Sequence, residues 1–245
     1  MDRWRKWAMC AWMGALGVMS ATQVTAALAV EPGDYLYTEG GHAHGSLVVK
    51  KDSFTIETVG GNCHSCSISG ALKGNTGTAV DGSDTCRLSI TGGKGMLKVD
   101  SGDSEACRAY CGARAMFDGQ YRQASPACMD RTRAKRLSQA RTLYAKKDYA
   151  AAAAGFTSLL GECSTEMDWI EADSVRSDLA LTQYHLGDNA QCLATLAQTM
   201  ALRNGGDDAQ PDADFGLPPC DADNYRSTGK AILHNAALCQ APRAK

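Results

Sequence analysis

Apolar and polar residues alternate with period two through the first half of the chain, in short runs punctuated by glycine. The runs predict strands at Asp34–Tyr37, Ser46–Lys50, Ser53–Val59, Ser67–Leu72, Gly77–Val80, Cys86–Thr91, Met96–Asp100 and Gly119–Arg122. Between them lie turn signals such as Lys51-Asp52, Gly60-Gly61-Asn62, Gly74-Asn75, Asp81-Gly82-Ser83-Asp84 and Gly92-Gly93. Short strands with a turn every ~8–12 residues predict an antiparallel meander closed as a small β-barrel or β-sandwich. The alternation puts Phe54, Ile56, Leu88 and Ile90 inside and Thr55, Glu57, Arg87 and Ser89 outside. After Cys128 the texture changes to alanine-rich stretches with helical spacing. The fold class is therefore two-domain, β then α.

The ends and the charge set the compartment. Met1-Asp2-Arg3-Trp4-Arg5-Lys6 is cationic, Trp7 to Val18 is apolar, and Ala27-Leu28-Ala29 offers a small-residue cleavage site. That is the layout of a signal peptide over 1–29, leaving a β domain at 30–128 and a helical domain at 129–245. The apolar run is shorter than the ~20 residues a spanning helix needs, and no transmembrane segment is expected elsewhere. The predicted location is periplasmic or secreted. Cleavage removes Arg3, Arg5, Lys6 and Asp2, which carry +2 together, and takes the formal charge from −2 to −4. Nucleic acid is not a partner that an exported acidic chain suggests.

Removing Cys10 leaves ten of the 11 cysteines, six from Cys63 to Cys128 (63, 66, 86, 107, 111, 128) and four from Cys163 to Cys239 (163, 192, 220, 239). Even counts in each half of an exported chain read as two separately disulfide-bonded domains. In a meander, the strands after Cys66 and at Cys86 start at one end of the barrel. The strand Met96–Asp100 returns there to meet a short helix, Ser104 to Tyr110, with Cys107 and Cys111 on one face. Cys63, Cys66, Cys86, Cys107 and Cys111 should thus gather at one pole, with their pairing open among fifteen arrangements of six cysteines. A redox dithiol needs its first cysteine at a helix N-terminus, whereas Ser67-Ile68-Ser69-Gly70 after Cys66 reads as strand. His42, His44 and His64 are candidate metal ligands near these cysteines.

Two resemblances follow. An exported, disulfide-bonded barrel of about eight strands opening Gly33-Asp34-Tyr35 resembles, over Gly33–Cys128, the periplasmic lysozyme-inhibitor barrels of Gram-negative bacteria. Those use Ser-Gly-x-x-Tyr and Tyr-x-x-x-Thr-Lys-Gly loops. Here Asp118-Gly119-Gln120-Tyr121 and Thr38-Glu39-Gly40 depart from both motifs. In the second half, Leu137–Leu160 and Ser177–Met200 align at an offset of 40, with Ala140 on Ala180, Tyr144 on Tyr184 and Asp148 on Asp188. This is similar to the tetratricopeptide repeat: a helix, a tight turn at Lys147-Asp148 or Gly187-Asp188, and a second helix. A third helix, Thr228–Cys239, should cap the stack after a solvated Asp-rich loop (Asp207, Asp208, Asp212, Asp214, Asp221, Asp223). Hairpin stacking predicts Cys192–Cys239 and Cys163–Cys220. The resemblance implies a concave, peptide-binding face containing Arg141, Tyr144, Tyr184 and His185.

No nucleophile–base spacing, phosphate loop or zinc-hydrolase motif stands out, and no catalytic residue or cofactor is assigned. The expected function is a non-catalytic protein-binding protein of the bacterial envelope, with an inhibitor or immunity factor against a cell-wall hydrolase as its specific form. Envelope metal handling through His42, His44 and His64, or thiol–disulfide exchange through Cys63 and Cys66, are the alternatives.

Overall fold

The computed structural model describes residues 30–39, 44–205 and 215–241. The expected signal segment, His42, and Asp207, Asp208, Asp212 and Asp214 lie outside the described residues. Among those described, eight antiparallel strands run in sequence order and close on each other: β1 (Gly33–Tyr37), β2 (His44–Val49), β3 (Ser53–Val59), β4 (Ser65–Lys73), β5 (Thr76–Asp81), β6 (Asp84–Gly93), β7 (Met96–Asp100) and β8 (Gly119–Gln123). Closure comes from β8 pairing with β1, Leu36 opposite Arg122 and Tyr37 opposite Tyr121. The barrel, rather than the sandwich, is the outcome. Every predicted strand is present, extended by one or two residues at some ends, with β2 stopping one residue short of Lys50.

Period two decides which side chains fill the barrel. Phe54, Ile56 and Thr58 of β3 and Cys86, Leu88 and Ile90 of β6 are buried, while Thr55, Glu57, Arg87 and Ser89 face out. Leu47, Ile68, Leu97, Tyr35 and Tyr121 complete the interior. Gly77 is required by this filling: a Cβ there would lie 2.7 Å from Leu88 Cδ1 and 2.8 Å from Phe54 Cε1. The barrel centre is a packed core, not a ligand cavity.

One pole is closed by the 101–118 connection, which carries α1 (Glu105–Arg108). Ala115 and Phe117 are buried in the barrel core there. Three hydroxyls from the strands tie this plug down. Thr58 Oγ1 donates to Met116 O (2.7 Å), Tyr121 Oη to Phe117 O (2.7 Å) and Tyr37 Oη to Asp118 O (2.8 Å). Disulfides Cys66–Cys111 and Cys86–Cys107 staple the same segment to β4 and β6. They close loops of 45 and 21 residues, each worth about 3–4 kcal/mol in the chain-entropy account. The expected helix from Ser104 to Tyr110 is shorter: Cys107 lies in α1, while Cys111 lies beyond it in an isolated antiparallel bridge to Cys66, so the two do not share a helix face and serve different strands.

The second half forms α2 (Asp130–Ala145), α3 (Tyr149–Cys163), α4 (Trp169–Leu186), α5 (Asn189–Leu196), α6 (Met200–Gly205) and α7 (Pro219–Gln240). The 40-residue offset is visible atom by atom. After α2, Lys147 N–H bonds Tyr144 O and Asp148 N–H bonds Leu143 O; after α4, Gly187 bonds Tyr184 and Asp188 bonds Gln183. This is a Schellman ending in both copies. It places Lys147 (φ 63°) and Gly187 (φ 97°) in the left-handed region. Asp148 then caps α3 through Ala151 N–H, and Asp188 caps α5 through Gln191 N–H. The sequence departs from expectation past α5, where the second helix of repeat two ends at Leu196 and restarts as α6. The capping helix α7 begins nine residues earlier than Thr228, so Asp221 and Asp223 sit in its first turns rather than in a solvated loop.

The cysteine pairing overturns the reading of two separately bonded domains. Among the described residues ten cysteines form five disulfides, and two of these cross between barrel and helices: Cys63–Cys220 and Cys128–Cys163. Cys192–Cys239 joins α5 to the end of α7, as hairpin stacking predicts. Cys163 is instead taken by Cys128, because α2 and α3 are antiparallel and the end of α3 returns beside the start of α2. The expected Cys163–Cys220 pair does not form. Five disulfides mark an oxidising compartment. Among the described residues no helix is long and apolar enough to cross a membrane.

Candidate functional site

The crossing disulfides lie at opposite ends of the barrel. Strands β2, β4, β6 and β8 alternate with their partners so that residue 128 leaves from the end opposite the plugged pole, while the Gly60–His64 turn belongs to the plugged pole. At the first end, Cys128–Cys163 is reinforced by Arg122 of β8, whose Nη2 reaches Glu166 Oε1 and Thr165 Oγ1, both at 2.7 Å. At the other end, Cys63–Cys220 ties the 3-10 turn Gly61–Cys63 to the first turn of α7. Asn62 and Cys63 both adopt left-handed conformations (φ 58° and 57°). Their N–H groups consequently point together at the Asp221 carboxylate, at 2.8 and 3.2 Å. Asn62 Oδ1 accepts the Cys220 N–H in return (2.9 Å). The helical domain therefore lies along the barrel wall and is fastened at both ends.

Between the fasteners is a cleft of about 950 Å³. Its barrel wall is the outward face of the first strands, with Leu36, His44, Ser46, Glu57, Val59 and Ser67 among its side chains. Its helical wall is the α3–α4 turn, including Met167, followed by Trp169, Ala172 and Arg176 of α4 and Arg203 of α6. Most charges along its rim are already engaged. Arg133 bonds Glu171 Oε1 (2.7 Å), Asp130 Oδ1 (3.0 Å) and Cys128 O (2.8 Å). Asp168 caps α4 by accepting from Ile170 and Glu171 N–H. Glu57 makes no ion pair among the described residues.

A buried polar centre stands behind the helical wall. Asp173, 3% exposed, accepts from Arg176 Nη1 (3.0 Å) on one oxygen. Its other oxygen accepts from Tyr225 Oη and Met200 N–H, both at 2.7 Å. Tyr225 Oη in turn accepts from Ala201 N–H (2.9 Å). Burial, and next the Asp173 charge, raise the Tyr225 phenol well above its ordinary pKa, so it serves as a neutral donor.

Of the residues expected on a concave face, the three rings come together at the C-terminal ends of α2 and α4, away from the cleft. Tyr144, Tyr184 and His185 form one ring cluster with Tyr149, which the sequence reading missed. His185 stacks on Tyr149 with centroids 4.6 Å apart and an 8° interplanar angle, and Tyr144 lies 5.5 Å from Tyr149 and 5.7 Å from His185. Tyr149 was findable as the residue after the Asp148 cap. Arg141 is committed to Asp178 (2.7 Å) and Ser174 (3.3 Å). Burial raises the Asp178 carboxyl against the opposing pull of Arg141. The hollow beside Arg141 and Tyr144 is about 40 Å³, room for roughly one water. Tyr144 also packs on the core of α2 and α3, and Tyr184 on the core shared with α7.

Cys63 and Cys66 each bond a distant partner, so they share no disulfide. His44 lines the cleft, with its Nδ1 buried and unpaired, whereas His64 packs against Gly112 at the plugged pole. Among the described residues, no three His, Cys, Asp or Glu side chains are grouped to hold a metal ion. No family model, curated protein or solved structure matches the chain.

Proposed function

We propose that the chain is a non-catalytic protein-binding protein, exported to the periplasm or beyond, whose partner inserts a peptide segment into the cleft between barrel and helices. The observation that carries this reading is the pair of disulfides bracketing the cleft. A cleft fastened at both ends is preorganised, which reduces the ordering cost of binding. Its volume of about 950 Å³ is at the upper end of the ~300–1,000 Å³ typical of ligand sites, and domain boundaries are a preferred place for them. The filled barrel and the hollow of about 40 Å³ beside the ring cluster offer no comparable space. The repeat at an offset of 40 supports a tetratricopeptide-like origin for the helices, and the stapled barrel supports the architectural likeness to lysozyme-inhibitor barrels. Inhibition of a cell-wall hydrolase is the specific form this binding would take.

The test is affinity capture from an envelope extract with the oxidised chain as bait, against a variant whose cleft is obstructed by Ser46→Tyr on the barrel wall. A partner captured by the native chain and lost with S46Y supports the reading. A partner retained equally by both places binding elsewhere and ends it.

A further inference from the structure

Asp173 does more than neutralise one arginine. Through Oδ1 it holds Arg176, and through Oδ2 it holds the Met200 N–H that starts α6, the helix bearing Arg203. The Tyr225 hydroxyl, donating to Asp173 and accepting from Ala201 N–H, fixes the same corner. One buried carboxylate thus sets the position of two guanidinium-bearing elements, and both arginines line the same cleft. Arg176 is 21% exposed and spends one N–H on Asp173; among the described residues its remaining donors have no acceptor. Arg203 is exposed and has no ion-pair partner among the described residues. Arg203 is also close enough for its charge to act on the Tyr225 phenol.

The neighbouring acids are held away from these two arginines. Glu166 is held by Arg122, Asp130 by Arg133, and Asp168 caps α4. Arg176 and Arg203 against Asp173 carry +1 at this corner, whereas Arg133 with Asp130 and Glu171, together with Asp168, leaves the rest of the helical wall acidic. Glu57, without an ion-pair partner among the described residues, faces from the barrel wall. A polyanion would meet Glu57, whereas one anionic group at the arginines would not.

We propose that Arg176 and Arg203 form a receptor for a single anionic group of the cleft ligand, a carboxylate or a phosphate monoester, with Asp173 and Tyr225 as positioning residues. A guanidinium with free parallel N–H donors is suited to a two-point hydrogen bond with either group. The proposal rests on the cleft being the binding site and adds what the cleft selects.

The probes are N-acetyl-trialanine with a free carboxylate, its C-terminal amide, and an N-acetylated, amidated Ala-phosphoserine-Ala. Binding to the oxidised chain is followed by calorimetry and by the fluorescence of Trp169, which lines the cleft. The free acid or the phosphopeptide is expected to bind at least tenfold tighter than the neutral amide, and the stronger of the two identifies the source of the charge. Arg176→Met should remove that preference. Arg176→Lys keeps the charge beside Asp173 and should lose most of the preference at an unchanged melting temperature. Arg226→Met, at an exposed ion pair with Asp223 on α7, should change nothing. Equal binding of acid, phosphopeptide and amide overturns the proposal, as does a preference that survives both Arg176 variants. The two readings fail separately. If S46Y abolishes partner capture while R176K leaves it intact, the cleft stands and the anion receptor falls; if neither variant affects capture, the cleft falls as well.

Discussion

Replacing Cys63 and Cys220 together by alanine tests whether the two halves behave as one cooperative body. The bridged residues are 157 apart in sequence. The loop that this disulfide closes is shorter, because Cys66–Cys111 cuts out 45 residues and Cys128–Cys163 cuts out 35. Subtracting both from 157 leaves a loop of about 77 residues, for which the chain-entropy relation gives about 4.5 kcal/mol at 25 °C. That is a substantial share of the ~5–15 kcal/mol that holds a domain folded. The paired replacement leaves no free thiol, and the bonds from Asn62 and Cys63 N–H to Asp221 survive it, so the native structure should persist with a less constrained unfolded state. Urea unfolding, followed by hydrogen exchange of the barrel-strand amides and by Trp169 fluorescence for the helices, should show coincident transitions in the native chain. In the variant, both should move to lower urea by an amount equivalent to about 3–4.5 kcal/mol. Unchanged midpoints, within about 0.5 kcal/mol, would mean that barrel and helices unfold independently and that this bridge constrains neither.

Two further outcomes are expected. Asp148→Ala and Asp188→Ala remove the same cap at equivalent positions of the two hairpins, and each should cost about 1 kcal/mol in denaturant melts; a loss confined to one site would break the equivalence. Burial first, then the charges of Glu39 and Asp118, push the Tyr37 phenol up to about 12. Its contribution is therefore complete below the ordinary value of 10 and is lost as pH rises from about 10 through about 12, by about 2–3 kcal/mol. Tyr37→Phe should flatten the fall in urea midpoint between pH 10 and 12, and an unaltered slope would refute the assignment.

The barrel was legible because its signal is local. Period-two alternation in Phe54–Thr58 and Cys86–Ile90, with turns between, fixes both strand identity and facing. Up-and-down order follows from short turns, and with it the gathering of cysteines at one pole. The duplicated hairpin was legible from Tyr144-x-x-x-Asp148 and Tyr184-x-x-x-Asp188, because a Schellman ending followed by an Asp cap is also local. What failed depended on partners distant in sequence. Counting cysteines in each half cannot reveal two crossing bridges, since exchanging one cysteine from each half twice leaves both counts even. The break between Leu196 and Met200 has no glycine or proline to announce it. There the buried Thr199 hydroxyl turns back to Leu196 O, and the Met200 N–H is supplied by Asp173, 27 residues upstream.

The candidate site was least legible for the same reason. Asp173 and Arg176, three apart on a helix, read as an ordinary exposed ion pair of the kind worth well under 1 kcal/mol. Only the return of α7, which brings Tyr225 onto Asp173, shows that the carboxylate is buried and that Arg176 reaches past it into a cleft. That return is itself secured by Cys63–Cys220 and by Asp221 on the Asn62–Cys63 turn. The motif that looked most like an active site, Cys63-His64-Ser65-Cys66, thus serves the site without belonging to its chemistry. Cys66 staples the plug that closes the barrel, and Cys63, through Cys220, fixes the start of the helix that buries Asp173. A ligand in the cleft should in turn favour the docked arrangement over any opening of barrel from helices. Loss of Cys63–Cys220 would then weaken cleft binding although neither cysteine is needed to touch the ligand.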